Sequence, residues 1–95
     1  MVEPEEVILV SSQTIPGMRI ARVKGLVVAA RPVSLTVAGV EDEIDALLDK
    51  LRKLAARKGA NAVIDVKIDV RRVGGAGLEW ALLMAYGTAV TAEEQ

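Results

Sequence analysis

The chain contains no cysteine, no histidine and no phenylalanine among its 95 residues. Without cysteine it can form no disulfide and perform no thiol chemistry. Without cysteine and histidine it also lacks thiolate and imidazole, the side-chain ligands that soft heavy metals prefer. Trp80 and Tyr86 are its only large aromatic residues, so the core is built mainly from Val, Ala, Leu and Ile. At this length folding buries only about 60–65% of the surface that the unfolded chain exposes. A core this thin gains stability from contact with a second subunit.

Net charge of either sign is also nearly absent, because 12 basic and 13 acidic residues give a formal charge of −1. Nucleic-acid binders normally carry a basic excess or stripe, so we expect no nucleic-acid partner. The uncharged stretches Pro32–Val40 and Trp80–Ala92 are too short to span a bilayer as helices. The acidic start of the chain lacks the basic region of a secretory signal. We therefore predict a cytoplasmic protein that does not bind a membrane.

An amphipathic helix over Glu41–Lys58 is the clearest element that the sequence predicts. Acidic residues crowd its N-terminal end and basic residues its C-terminal end, which complements the helix dipole. Gly59 stands where a left-handed C-terminal cap is expected. Apolar residues recur at three- and four-residue steps and form one stripe: Ile44, Leu47, Leu48, Leu51, Leu54 and Ala55.

Four strands are predicted around this helix, two before it and two after it in the sequence. The last two are joined by the run Gly74-Gly75-Ala76-Gly77, which is typical of a hairpin connection. One helix can cover about one face of a four-stranded antiparallel sheet. The sequence therefore predicts a single α+β domain over residues 1–95 with strand-strand-helix-strand-strand order. The predicted strands are Val7–Val10, Met18–Ala30, Ala62–Val73 and Leu78–Thr91.

Several residues mark where these strands begin, bend and end. Pro16-Gly17 has the sequence of a type II turn. The apolar alternation slips near Gly25, which indicates a β-bulge or a bend. Arg31-Pro32 is expected to end the second strand, since proline cannot donate to an interior ladder. Residues 1–6 and 92–95 are expected to be frayed tails.

The last strand differs from the others because both of its faces are apolar. We expect the helix to pack on the face that holds Ile64, Val66 and Ile68, together with one face of the last strand. The other face would then be uncovered, and a large uncovered apolar patch usually marks an interface. An alternative is that the apolar connector Val33–Val40 folds over it. The predicted oligomer interface consists of Ala81, Leu83, Ala85, Gly87 and Ala89.

A charged face is the most distinctive polar feature. Alternate residues of the third strand are charged, and bases also occur on the second strand. With the second strand as its neighbour, the third strand could form cross-strand ion pairs through these residues and hold a small anion. A solvated sheet face would explain the same alternation. The candidate ligand-binding residues are Arg22, Lys24, Asp65, Lys67, Asp69 and Arg71.

The sequence offers little for catalysis. No Ser-x-x-Lys or Gly-x-Ser-x-Gly setting is present, and the glycine run is not followed by Gly-Lys-Ser/Thr. We therefore assign no catalytic residue, no metal ligand and no cofactor. The acidic cluster Glu41-Asp42-Glu43 with Asp45 could take a hard ion, but a helix N-terminus explains it. A carboxylate metal site, or an enzyme using carboxylates and lysines at subunit interfaces, remains the alternative.

Two motifs, Gly59-Ala60-Asn61-Ala62-Val63 and Tyr86-Gly87-Thr88-Ala89-Val90, resemble the YbjQ-like domain family, small proteins labelled heavy-metal-binding. The segment Thr14–Val28 is similar to the family's opening turn and second strand, and the resemblance covers roughly residues 12 to 91. It implies an α+β fold of the same element order and a ring-shaped homopentamer in which sheets of neighbours meet. The chain departs from the family in its short connector before the helix and in Asp65, where many relatives have a small residue.

Together these observations predict a non-enzymatic, homo-oligomeric module. Its expected partner is itself, in a ring that the resemblance makes pentameric. A small ligand or a protein is expected to bind at the subunit interfaces.

Overall fold

The computed structural model describes residues 2–34, 40–74 and 80–95. A short 3-10 helix over Pro4–Glu6 precedes the sheet, whose strands lie in the order β1-β3-β4-β2. One helix and four strands in the order strand-strand-helix-strand-strand confirm the α+β prediction. The elements are β1 (Ile8–Leu9), β2 (Met18–Ser34), α1 (Val40–Arg57), β3 (Ala62–Val73) and β4 (Trp80–Glu94).

The sheet is mixed, so the prediction of an antiparallel sheet is wrong for β1. This strand runs parallel to β3, with Ile8 opposite Ala62 and Leu9 opposite Val63. β4 pairs antiparallel with both β2 and β3 and takes the centre of the sheet. As the central strand, it is flanked by a neighbouring strand at each edge. β1 lies beside β3 at one edge and β2 at the other, so the chain crosses the sheet between them.

The main core lies between α1 and one face of the sheet. Leu47, Leu51 and Ala55 of the helix are fully buried and pack against β2 and β4. An 18-residue helix is about 27 Å long, whereas the 17 residues of β2 span about 50 Å. The helix therefore covers only about half the length of the sheet.

The helix ends as the sequence predicts. Gly59 has φ 78°, the left-handed conformation of a C-terminal cap. The N–H of Ala60 donates to the carbonyl of Ala55 at 3.1 Å, and the N–H of Gly59 donates to Ala56 at 2.9 Å. These two bonds form a Schellman motif. The predicted bounds of the helix differ from the observed Val40–Arg57 by one residue at each end.

Two other backbone predictions are confirmed. Gly17 has φ 78° and the N–H of Met18 donates to the carbonyl of Ile15 at 3.0 Å, as a type II turn requires. Gly25 has φ 116°, and the register of β2 against β4 shifts between Val23 and Gly25, which is a bulge.

β2 and β4 are longer than the sequence predicts. β2 continues through Pro32 to Ser34, because an edge strand tolerates a residue without an N–H. β4 continues to Glu94, where Arg19 bonds Glu93 at 2.6 Å and the N–H of Gln95 donates to Gly17. Neither residues 92–95 nor the short helix near the start form the frayed tails that we predicted. The rest of the Val33–Val40 connector and most of the glycine run lie outside the described residues.

A bulge in β3 changes which way its side chains point. Asp65, with φ 55°, is the only non-glycine residue with positive φ in the described part of the chain. Ile64 lies opposite Thr88 and Lys67 opposite Tyr86, so Asp65 and Val66 together face a single residue, Gly87. Ile64 therefore points to one side of the sheet and Val66 to the other.

The side chain of Asn61 ties the start of β3 to the end of β4. Its Nδ2 donates to the carbonyl of Ala92 at 2.9 Å, and its Oδ1 accepts from the N–H of Ala92 at 2.7 Å. Its backbone N–H also donates to Val90 at 3.1 Å. The side chain thus extends the ladder between the two strands by two bonds, which explains the asparagine in the first motif.

Candidate interaction surface

The helix covers the small-residue face of β4, the face that we predicted to be uncovered. Ala81, Leu83, Ala85 and Ala89 are buried in the core cluster that includes α1, and Gly87 is buried against β3 of the same protomer. Their small side chains allow the helix, rather than a second subunit, to approach closely. The predicted oligomer interface at these residues is therefore corrected.

Gly87 is approached closely by β3 rather than by the helix. A Cβ on this residue would stand 2.7 Å from Cγ1 of Val63 and 2.8 Å from the carbonyl oxygen of Ile64. It would also lie 3.3 Å from Cγ2 of Val66. The backbone segment that packs against Gly87 is the bulge in β3 of the same protomer.

The opposite side of the sheet, which we call the open face, carries exposed apolar side chains. Directly opposed residues share a face, so Leu26 and Val28 lie on the same side as Thr88 and Tyr86. Leu26 is 75% exposed, Val28 56% and Val23 64%. We define the open-face patch as the exposed residues of this side: Ile20, Val23, Leu26, Val28 and Tyr86.

Among the described residues, those that cover the open face lie at one end of it. Ala62, Val90 and Ala92 form a second small core there, beneath Ile15 and Met18. Trp80, Leu82 and Met84 continue the open face along β4 and are half-buried. Exposed apolar groups in a contiguous row are unusual on a monomer and mark interaction surfaces.

A charged strip borders the apolar part of the open face. Lys67, Asp69 and Arg71 lie opposite Tyr86, Met84 and Leu82 in the β3–β4 register, so they point to the open face. Asp65 pairs with Lys67 at 3.8 Å, and Asp69 pairs with Arg71 at 3.4 Å. These pairs are solvent-exposed and contribute little to stability on their own.

The other two predicted ligand residues do not join this strip. Arg22 lies opposite Thr91, which points to the helix side. The Nζ of Lys24 lies 4.0 Å from where a Cβ on Gly59 would stand, at the C-terminal end of α1. β4 separates β2 from β3, so the predicted cross-strand ion pairs between these two strands are wrong. Lys24 instead lies where a cation favours the helix dipole.

The donor set does not fit a heavy metal. The sequence has no Cys and no His. Within the described ranges no three acidic side chains are grouped so that they could hold an ion. Glu43 is paired with Arg31, and Asp49 pairs with Arg52 at 2.8 Å. Soft metals prefer thiolate, thioether or imidazole ligands. The chain has no thiolate or imidazole, and its described methionines, Met18 and Met84, lie far apart in the β2–β4 register.

The sequence carries a signal for the open-face patch. Leu26-Val27-Val28 is apolar at every position, so β2 has an apolar side chain on each face. The larger side chains of β4 also lie together on the open face. Neighbouring strands that each carry an apolar row on the side away from the single helix indicate an exposed apolar patch there.

Comparisons with known proteins agree with the fold. The YbjQ family model, described as "Putative heavy-metal-binding", matches residues 38–93. The chain is 33% identical to a UPF0145 protein of Methanoregula boonei, over 96% of this chain and 90% of that protein. It is 32% identical to a UPF0145 protein of Thermococcus kodakarensis, over 96% of each chain.

One solved structure extends the comparison to three dimensions. It is the crystal structure of a DUF74-family protein of unknown function from Pediococcus pentosaceus, with a TM-score of 0.65 and 19% identity. The superposition covers 92% of this chain and 98% of the other. It therefore shows a shared fold. In the described part of the chain, α1 is not apolar enough to cross a membrane.

Proposed function

The chain belongs to the YbjQ-like UPF0145 family, and from that premise we propose that it is a homo-oligomeric module whose subunits meet through the open face. The observation that carries the proposal is the exposure of the open-face patch. The resemblance to the family supports a pentameric ring. A small ligand or a protein would bind where the subunits meet.

The apolar contribution to such a contact is substantial. Burying the exposed parts of Val23, Leu26 and Val28 stabilises the assembly by roughly 1–2 kcal/mol for each side chain. Association costs at least about 4 kcal/mol in lost translational and rotational freedom. The three side chains therefore offset that cost only if a large share of the patch is covered. In a ring each subunit takes part in two contacts, which favours closure.

The charges on the open face are compatible with the binding of a second copy of the chain. The net charge of −1 causes little repulsion between copies. The charged strip of Lys67, Asp69 and Arg71 contains both signs, and the patch lies toward the opposite edge. Because the two edges of the face differ, a contact that joins them is heterologous, and such contacts generate rings when the rotation closes.

The charged strip is the site that we propose for a small ligand. Its bases, Lys67 and Arg71, flank Asp69 on the same face. Assembly over the adjacent patch would reduce the solvent around these charges and strengthen their interaction with an anion. Of the six predicted ligand residues, the proposed site therefore keeps only those that lie on β3.

Light scattering of the wild-type protein at micromolar concentration tests the assembly. We expect a mass several times the 10.1 kDa of one chain, and five times that mass for a pentamer. A strict monomer would overturn the proposal. Native mass spectrometry of freshly purified protein tests ligand binding, since a bound anion would add a discrete mass to the oligomer.

A further inference from the structure

The outer edge of β3 is only partly paired. The N–H of Val10 donates to Val63 at 3.0 Å, and the N–H groups of Asp65 and Val66 donate to Ser12 and Val10. The segment that follows β1 therefore covers this edge as far as Val66. From Lys67 to Val73, no strand among residues 2–34, 40–74 and 80–95 pairs with the outer edge of β3. An open edge of this length is a template for pairing with another chain.

The backbone groups that face outward along this edge can be identified. The N–H of Val66 points outward, because it donates to Val10 of the neighbouring segment. The register of β3 against β4 is continuous from Lys67 to Val73, so outward and inward groups alternate without interruption. The outward groups are therefore those of Ile68, Val70 and Arg72. The side chains of Ile68 and Val70 are also exposed, at 44% and 55%.

We propose that this edge pairs antiparallel with the same edge of a second copy, with Val70 opposite Val70 of that copy. Asp69 then lies opposite Arg71 of the second copy, and Arg71 lies opposite its Asp69. Both of these are non-hydrogen-bonded pairs, in which opposed side chains are closest. On the helix side Val70 lies against Val70 of the second copy, and each Ile68 lies opposite Arg72 of the other copy.

Other registers along the same edge are less favourable. If the strands were paired with Asp69 opposite Asp69 of the second copy, Lys67 would also lie opposite Arg71. A centre at Arg71 places two arginines opposite each other, and like charges in that position are destabilising. A centre at Ile68 pairs the charges well but brings the end of the second β3 onto the segment that already bonds Asp65 and Val66.

The outer edge of β2 is a poor alternative for pairing. From Met18 to Ser34 this strand has no acidic residue, and its bases would oppose those of another β2. Against the open part of β3, the only acidic residue available to them would be Asp69. Pro32 also lacks an N–H to donate. The bases of β2 are Arg19, Arg22, Lys24 and Arg31.

This contact is isologous, so its two halves are related by a twofold axis. It uses the backbone edge of β3 rather than the open-face patch of β2, although its charged pairs, Asp69 and Arg71, also belong to the charged strip. Combined with a ring, it would join two rings face to face; without one, it would give a dimer.

A charge-swap series tests the contact by sedimentation velocity. Asp69→Arg and Arg71→Asp each replace both attractive pairs by repulsive ones, so the association constant for this contact should fall roughly tenfold or more. The double variant Asp69→Arg with Arg71→Asp restores opposite charges and should restore the wild-type association to within about threefold. Circular dichroism checks that all three variants fold.

The outcomes separate this contact from the ring. Each single variant should form an assembly with half as many subunits as the wild type. The double variant should form an assembly with the wild-type number. An assembly whose subunit number is unchanged in the single variants, or is not recovered in the double variant, would overturn the edge contact. A variant with Leu26→Asp tests the ring separately: it should lose the ring and keep the charge-dependent dimer.

Discussion

Replacing Gly87 with alanine should lower the free energy of unfolding by about 2–3 kcal/mol, the range of a severe overpacking substitution. The added methyl group would stand 2.8 Å from the carbonyl oxygen of Ile64 and 2.7 Å from Cγ1 of Val63. The carbonyl cannot move easily, because the bulge at Asp65 is fixed by backbone bonds to the segment after β1. Either β3 must separate from β4 or the bulge must be lost.

Urea unfolding at one fixed protein concentration measures the change, since assembly makes the apparent stability depend on concentration. Thr88→Ala is the matched control, because Thr88 is the next residue of β4, is half-buried and points to the open face. It should cost less than about 1 kcal/mol. A Gly87→Ala protein as stable as this control would show that the bulge does not approach β4 as described.

Replacing Leu26 with aspartate should convert the assembly to single chains, or to the β3-edge dimer at most. Leu26 is the most exposed residue of the open-face patch, at 75%. A carboxylate at that position would have to lose its water without a partner when a second copy covers the patch. The expected change in mass is large because every contact in a ring uses the same surface.

Gln13→Asp is the control for the added charge, since Gln13 lies exposed in the turn segment before β2. Light scattering of both variants at equal concentration should give the wild-type mass for Gln13→Asp and a lower mass for Leu26→Asp. If both variants keep the wild-type mass, the open face does not hold the subunits together.

The sequence predicted local structure well where one residue determines the backbone. The helix, its cap at Gly59, the turn at Pro16-Gly17 and the bulge at Gly25 are all confirmed. In each case a glycine, a proline or a repeating apolar stripe limits the backbone to one conformation. These features depend on neighbours in the sequence, so the chain alone specifies them.

The assignment of Ile64 to the helix face failed because it depended on a bulge that the sequence conceals. Apolar and charged residues alternate strictly from Ile64 to Arg71, which is the pattern of a regular strand. Asp65 nevertheless adopts φ 55° and turns Ile64 away from Val66. An aspartate tolerates this conformation better than most residues, but nothing in the alternation marks it.

The position of the helix could not be derived from apolar content either. Both faces of β4 are apolar, and the choice between them follows from size. A helix approaches more closely over alanines than over Trp80, Leu82 and Met84, so it packs on the small face. The parallel pairing of β1 was equally hidden, since a strand of two residues carries too short a pattern to show its partner.

The family description and the residues of this chain do not agree. The description refers to heavy metals, but the chain has neither Cys nor His. Several of its described carboxylates form ion pairs with basic side chains, namely those of Arg19, Arg31, Arg52 and Lys67. The features that the chain does offer are an apolar face and an open strand edge, both of which favour contacts between proteins.

Tyr86 provides the most direct test of whether a second copy covers the open face. It is the only tyrosine in the chain, it belongs to the open-face patch, and it is 38% exposed in the single protomer. Nitration with tetranitromethane, followed by intact-mass analysis, measures its accessibility. We expect Tyr86 to react several times more slowly in the wild-type assembly than in Leu26→Asp, because a neighbouring subunit excludes the reagent. Equal rates in an assembled wild type and in Leu26→Asp would contradict the account and place the subunit contacts elsewhere.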